Sequence, residues 1–436
     1  MKMLSRQKVM GSLGGNAIET VMGFLVIMFV TRNYPQSQVG VYFLVLAIIS
    51  ILNNLKEGFL QNGFVKYMVE QRFSKEVLRT GFAIALLGEG IKLVAFFAIT
   101  LFFDELRSFA PAFACYSLTF STYRLLVFIH KSRLAVHQIV RGNLLLLMSA
   151  LLGMLFLYWY NLRIEAVFWV LCFGHLFTIV GIRANREIVL YNLFRSYNRE
   201  LLLKMARFGK YGFFKEIAGS IAHQAGLFVS VYFLTLEATS VLGLATRYTI
   251  LISIPGASLA GLLYPIILKK AGNPKALKIT AIDGIGKMYA MLIPLAFLLM
   301  SVAPFLIYFL HGIQYLSAIY ILGFKILASV FLIPLGSGYS SLMNAINKPQ
   351  EITKLMLISS GSNILLSIVL IYLLGLRGAA IAPLLAEVIG GYIMSLRLRK
   401  HFNLEVFQIA HTTRNYWNYW ITKYKTLPWK RLRFQS

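Results

Sequence analysis

Charged side chains set inside long apolar runs are where this chain could do chemistry. Seven cations fall in or at such runs: Lys56, Lys92, Arg124, Lys215, Arg247, Lys287 and Lys325. Five carboxylates accompany them: Glu19, Glu57, Glu89, Glu216 and Glu387. An ion in hydrocarbon costs roughly 2.5–3.5 kcal/mol even on the mildest scales, so such a residue pairs with another or faces a water-filled cavity. Lys325 is the plainest case. It lies near the middle of SAIYILGFKILASVFLIPLGSG (317–338), the only charge in a stretch long enough to span a bilayer.

Spacing separates local from long-range pairing. Glu89 and Lys92 are three apart on one helical face and can neutralise each other. Lys56–Glu57 and Lys215–Glu216 are adjacent, so their side chains point in different directions. Lys325, Arg247, Arg124, Glu19 and Glu387 have no partner on their own helix. They either lock helices together or line a polar cavity, and five of them in five spans favour the cavity. His175 and His223 also fall near the middle of spans, where a histidine is more often a packed side chain than a proton carrier.

These residues need an apolar scaffold, and the chain supplies one. Of its 436 residues 58% are hydrophobic and 14% charged, against about a quarter charged in soluble proteins. An all-α integral membrane protein follows. Twelve spans are expected, at roughly 9–31, 39–63, 80–103, 110–130, 142–161, 165–182, 211–235, 241–268, 286–310, 315–343, 352–374 and 378–396. The first is read as a span rather than a removed signal, because no small-residue cleavage site follows it. The net charge of +27 raises the question of nucleic acid, but the cations cluster in alternate connections. The opposite set of connections holds only Arg32, Arg107, Arg163 and Arg377. That asymmetry places both termini in the cytoplasm and requires an even number of spans.

The longest gap, residues 183–210, is basic and divides the spans six and six. The expected organisation is therefore an N-terminal lobe over 1–182, a cytoplasmic linker over 183–210, a C-terminal lobe over 211–396 and a basic aromatic tail over 397–436. SQVGVYFLVLAIISI (37–51) and SVLGLATRYTILISI (240–254) begin the second span of each lobe, an internal repeat of the kind transporters carry. Six prolines, Pro255, Pro265, Pro294, Pro304, Pro334 and Pro383, fall within spans of the second lobe, which is expected to hold the more bent helices. The tail interleaves Tyr416, Trp417, Tyr419, Trp420, Tyr424 and Trp429 with Lys and Arg, a composition for anchoring at the membrane interface rather than for RNA. Cys115 and Cys172 lie in apolar runs and form no metal motif. No phosphate-binding loop, zinc-protease motif or serine elbow is present, so no catalytic residues and no enzyme activity are expected.

Four segments carry a family resemblance: TRNYPQSQVGVYFLVLAIISILNNLKEGFLQNGFVKYM (31–68), VLGLATRYTILISIPGASLAGLLYPIILKK (241–270), FLHGIQYLSAIYILGFKILA (309–328) and SSLMNAINKPQEITKLMLISSGSNILLSIVLIYLLGLRGAAIAPLLAEVIG (340–390). The first closes on Gly63, Phe64, Val65, Lys66 and Tyr67. The last contains the Gly378, Ala379, Ala380, Ile381, Ala382 entry into the final span. Their order and spacing resemble the polysaccharide transporters, the O-antigen flippases of the multidrug/oligosaccharidyl-lipid/polysaccharide (MOP) superfamily. That resemblance implies a MATE-like bundle of about twelve helices in two six-helix lobes around a central cavity. It implies alternating access in the bacterial inner membrane. The implied substrate is an undecaprenyl-pyrophosphate-linked oligosaccharide, with membrane lipids and a polysaccharide polymerase machinery as partners. Arg247, Lys325 and Arg124, backed by Lys92 and Lys56, would hold the pyrophosphate. Glu19, Glu387 and Glu89 would balance charge or carry a coupling proton or sodium ion. The seventh span departs from the pattern: His223 and Gln224 stand where an aspartate is expected. The alternatives are a drug/cation antiporter of the same superfamily, which would favour cavity acids, and a membrane polymerase or ligase, which would want a large outer loop.

Overall fold

A computed structural model describes residues 6–70, 75–132, 135–182, 198–270, 272–346 and 348–426. Among them fourteen α-helices account for nearly all of the chain. This is what hydrocarbon demands, since a helix satisfies its own backbone polar groups. The helices are α1 (Arg6–Asn33), α2 (Gln36–Glu70), α3 (Lys75–Thr100), α4 (Ala110–Ser132), α5 (Val136–Tyr160), α6 (Ala166–Ile182) and α7 (Arg199–Phe233). There follow α8 (Leu236–Tyr248), α9 (Ile250–Leu268), α10 (Pro274–His311), α11 (Ala318–Ala345), α12 (Pro349–Leu374), α13 (Leu376–Phe402) and α14 (Val406–Thr426). Eight of these helical stretches are long and apolar enough to cross a membrane by length and composition.

Each of the twelve expected spans coincides with helix, with one departure. The stretch 241–268 is not one rod: it breaks at Thr249 into α8 and α9. Past the last expected span, α13 continues to Phe402, and α14 forms Val406–Thr426 of the basic aromatic tail. Residues 183–197 of the basic linker and 427–436 of the tail lie outside the described residues, whereas 199–210 form the start of α7. All six span prolines sit inside helices, in α9, α10, α11 and α13.

The chain forms two compact units, Met1–Leu227 with Thr235–Ser240, and Phe228–Leu234 with Val241–Ser436. In the first, α1 packs on α5, α4 and α5 on α6, and α2 and α4 on α3. Its core includes Phe64, Phe82, Phe128, Ile129 and Leu146. In the second, α11 packs on α9, α10 and α13, α12 on α13, and α14 on α10. Ile267, Ile285, Leu342, Met343 and Leu398 lie at its centre. The outward faces are apolar too, with Val94, Leu152, Phe297 and Leu365 exposed. Such faces suit lipid contact rather than water.

Punctuation follows the sequence. Asn273 caps α10, its side-chain oxygen accepting from Ala276 N–H at 3.1 Å with Pro274 at the first helical position. The α12–α13 turn rests on Gly375, at φ +58°. Gly378, at the Gly-Ala-Ala entry, lies where a Cβ would stand 1.9 Å from the Leu370 carbonyl oxygen of α12. Backbone cannot retreat like a side-chain tip. Gly378→Ala is therefore expected to cost at least the roughly 1–3 kcal/mol of overpacking. Thermal unfolding in detergent checks this; an unchanged midpoint would show that the two helices part freely.

Candidate functional site

The first unit gathers its buried charges into two networks. The deeper one is built from α2, α3 and α4. Glu89 accepts from Lys92 Nζ at 2.8 Å on one oxygen and from Lys56 Nζ at 3.0 Å on the other. Ser117 and Ser121 donate to the same carboxylate. Lys92 also donates to Asn53 Oδ1 at 2.8 Å, and Lys56 to Ser121. The side chains are 2% exposed for Glu89 and Lys92 and 6% for Lys56. Helix periodicity sets this up: Glu89 and Lys92 share a face of α3, while Asn53 and Lys56 lie three apart on the facing side of α2.

The second network is shallower. Arg124 on α4 grips Glu57 of α2 with both arms, Nε to Oε1 at 2.8 Å and Nη2 to Oε2 at 2.7 Å. Its third nitrogen stands 3.8 Å from Glu19 of α1. The rings of Phe120 and Phe128 lie 6.0 and 5.6 Å from the guanidinium, within cation–π range. Lys56 and Glu57, adjacent in sequence, serve different networks, as their helical offset requires. Three cations and three carboxylates therefore cancel within the unit: Lys56, Lys92 and Arg124 against Glu89, Glu57 and Glu19. Arg124, with 20% of its side chain exposed, is the most accessible of the three cations.

His175 is packed rather than wired to these charges. Its Nδ1 lies 2.6 Å from the Leu171 carbonyl oxygen, and the rings of Tyr116, Phe120 and Tyr123 surround it at centroid distances of 5.6, 5.5 and 5.3 Å. His223 is exposed, and the Gln224 side-chain oxygen is buried without a hydrogen bond among the described residues. The Lys215 side chain lies outside the described residues, as do those of Val65 and Lys66 in the first family-like segment.

The second unit is wired differently. Lys325 on α11 is half-buried and has no ion pair or hydrogen bond among the described residues. Glu387, on the adjacent α13, is also half-buried, and its Oε2 is buried without a hydrogen-bond partner there. The two helices are in register: a Cβ at Gly391 would touch the Phe331 ring, and one at Gly336 would reach Met394. Lys325 and Glu387 thus sit on neighbouring helices at similar height but form no ion pair. Arg247 is half-buried near the end of α8, two residues before the break. Its neighbours Thr246 and Thr249 turn their hydroxyls onto backbone carbonyls, at 2.8 and 2.6 Å.

The networks of the first unit were only partly readable from sequence. The Glu89–Lys92 pair follows from its spacing. The Glu57–Arg124 fork joins residues 67 apart and leaves no local signal. Among the described residues no group of three or more His, Cys, Asp or Glu could hold a metal ion, and both cysteines are free.

Solved structures share this architecture. The chain is similar to an inward-facing multidrug resistance MATE family transporter of the MOP superfamily, with a TM-score of 0.73 at 16% identity, over 89% of this chain and 98% of that one. It is similar to a MOP superfamily transporter from Pyrococcus furiosus, described as having a binding pocket of reverse polarity that suggests a different function. That TM-score is 0.65 at 15% identity, over 90% and 94% of the two chains. An outward-facing MATE transporter gives 0.61 at 16%, over 90% and 94%. The fold is MATE-like; identities this low speak to the fold alone. No family model matches the chain, and no curated protein matches its sequence.

Proposed function

We propose that the chain is a multi-pass membrane transporter working by alternating access, and that it moves an anionic lipid-linked oligosaccharide, an undecaprenyl-pyrophosphate repeat unit, from the cytoplasmic to the outer leaflet. The observation that carries this reading is the contrast between the units: the first cancels its six network charges, whereas Lys325 stands in mid-span with no ion pair or hydrogen bond among the described residues. A pyrophosphate entering hydrocarbon needs such a cation, because a charge-assisted hydrogen bond is strongest where water is excluded. Lys325 supplies the point charge and Arg247 a planar fork. Arg124 is a further contact, reached only by displacing Glu57 or Glu19. Lys56 and Lys92, enclosed on Glu89, hold the scaffold. Glu387 carries the coupling proton or sodium ion. The cell is bacterial, the membrane the inner one, and both termini face the cytoplasm.

The antiporter reading differs in the sign of its cargo. Liposomes containing the purified chain decide between them. Translocation of a fluorescent undecaprenyl-pyrophosphate oligosaccharide is expected, measured by its access to an external glycosidase. No proton-driven uptake of a cationic dye is expected. Dye uptake without lipid translocation would overturn the reading in favour of the antiporter.

A further inference from the structure

A second feature of the C-terminal unit lies apart from the charges above. A cavity of about 510 Å³ opens between α10, α11, α13 and α14, walled by Tyr289, Phe331, Val388, Tyr392, Ile409 and Trp417. Its size is that of a ligand site rather than a packing defect. Its polar walls are already engaged. Tyr289 donates to the Phe331 carbonyl at 2.7 Å and Trp417 Nε1 to that of Ala290 at 2.9 Å. Ser395 donates to Tyr392 O at 2.7 Å and Thr413 to Gly286 O at 3.2 Å. The lining is largely apolar and holds one charged side chain. Arg414 lines it, is exposed, and has no ion pair or hydrogen bond among the described residues.

The position of this groove is set by its helices. α10, α11 and α13 are apolar enough to span the bilayer, while α14 is a polar-and-aromatic helix tied to α10 through Trp417, Thr413 and the Tyr416–Asp283 hydrogen bond. Burial, then the bond and charge of Asp283, push the Tyr416 hydroxyl up to about 12. A helix of this composition lies along the membrane interface. The α13 end beside it carries Arg399 and Lys400, which the charge asymmetry of the connections puts on the cytoplasmic side.

We propose that this groove is a binding site for an anionic glycerophospholipid of the cytoplasmic leaflet, its acyl chain along Phe331, Val388 and Ile409 and its phosphodiester on Arg414. Charge complementarity selects the occupant. A dry apolar slot takes a hydrocarbon chain, and a lone guanidinium at its lip takes an anion.

Native mass spectrometry of the full-length protein tests this after equilibration with equal amounts of phosphatidylglycerol and phosphatidylcholine of matched chains. The protein is expected to retain phosphatidylglycerol about fivefold over phosphatidylcholine, the preference one interfacial cation gives. Arg414→Ala is expected to abolish that preference and Arg414→Lys to keep it. Ala410→Trp and Val406→Trp, two independent ways to fill the slot, are each expected to reduce both lipids severalfold. Unchanged preference in Arg414→Ala, wild-type lipid retention in both tryptophan variants, or a second copy of the chain in place of lipid would each overturn the proposal.

Discussion

Glu89→Gln is expected to destabilise the protein by roughly 3–5 kcal/mol, the cost of leaving buried charge without its partner. The carboxylate serves two ammonium groups at 2.8 and 3.0 Å, so one substitution strands both. The network contains two lysines and one glutamate, and that imbalance gives the prediction its control. Lys92→Met removes the surplus charge and leaves a neutral Lys56–Glu89 pair. It is expected to cost about 1 kcal/mol or less, since apolar replacement of buried ions is often neutral or stabilising. Thermal and denaturant unfolding in detergent measure both variants. If Lys92→Met is as damaging as Glu89→Gln, or if both are silent, the network does not hold the unit together as drawn.

Lys325→Ala is expected to do the reverse: to leave stability alone and slow transport severely. With no partner among the described residues, Lys325 strands no carboxylate when removed. Its loss even relieves the burial of an unpaired charge. On the proposed function, what goes is a contact to the cargo. A hydrogen bond to an ionised group is worth about 1.5–3 kcal/mol, so lipid translocation in liposomes should fall by roughly 10- to 150-fold. Lys325→Arg keeps the charge and should keep most of the rate. Normal translocation by Lys325→Ala, at normal protein content, would sink the role given to this residue. The pair of variants separates the units: stability is expected to fall with the glutamate of the first, and transport with the lysine of the second.

The difference between Glu89 and Lys325 shows what a sequence can disclose. Helical spacing is local information, so the Glu89–Lys92 pair and the divergence of Lys56 from Glu57 were open to reading. The positions of the spans were open as well, because hydropathy is also a local sum. The Arg124–Glu57 fork was not, since it depends on how α4 meets α2 across 67 residues. Nor could the chain alone separate a paired Arg124 from an unpaired Lys325: both look the same inside an apolar run. The helix α14 was hidden for a different reason. Its low apolar content keeps it out of any count of spans, and it is tied to α10 by packing and three hydrogen bonds that no local pattern announces.

The break at Thr249 has a mechanical meaning. A bend in hydrocarbon is costly when it strips carbonyls of their donors. Here the side chains of Thr246, Thr249 and Ser253 donate to the carbonyls of Leu242, Thr246 and Thr249 at 2.8, 2.6 and 3.0 Å. The joint is thus supplied with spare donors and can flex without baring the backbone. Tilting α8 by ten degrees about it carries a residue twelve positions away by about 3 Å, but one two positions away by only about 0.5 Å. Arg247 is that nearer residue, so such a tilt would leave it nearly stationary while displacing the far end of its helix.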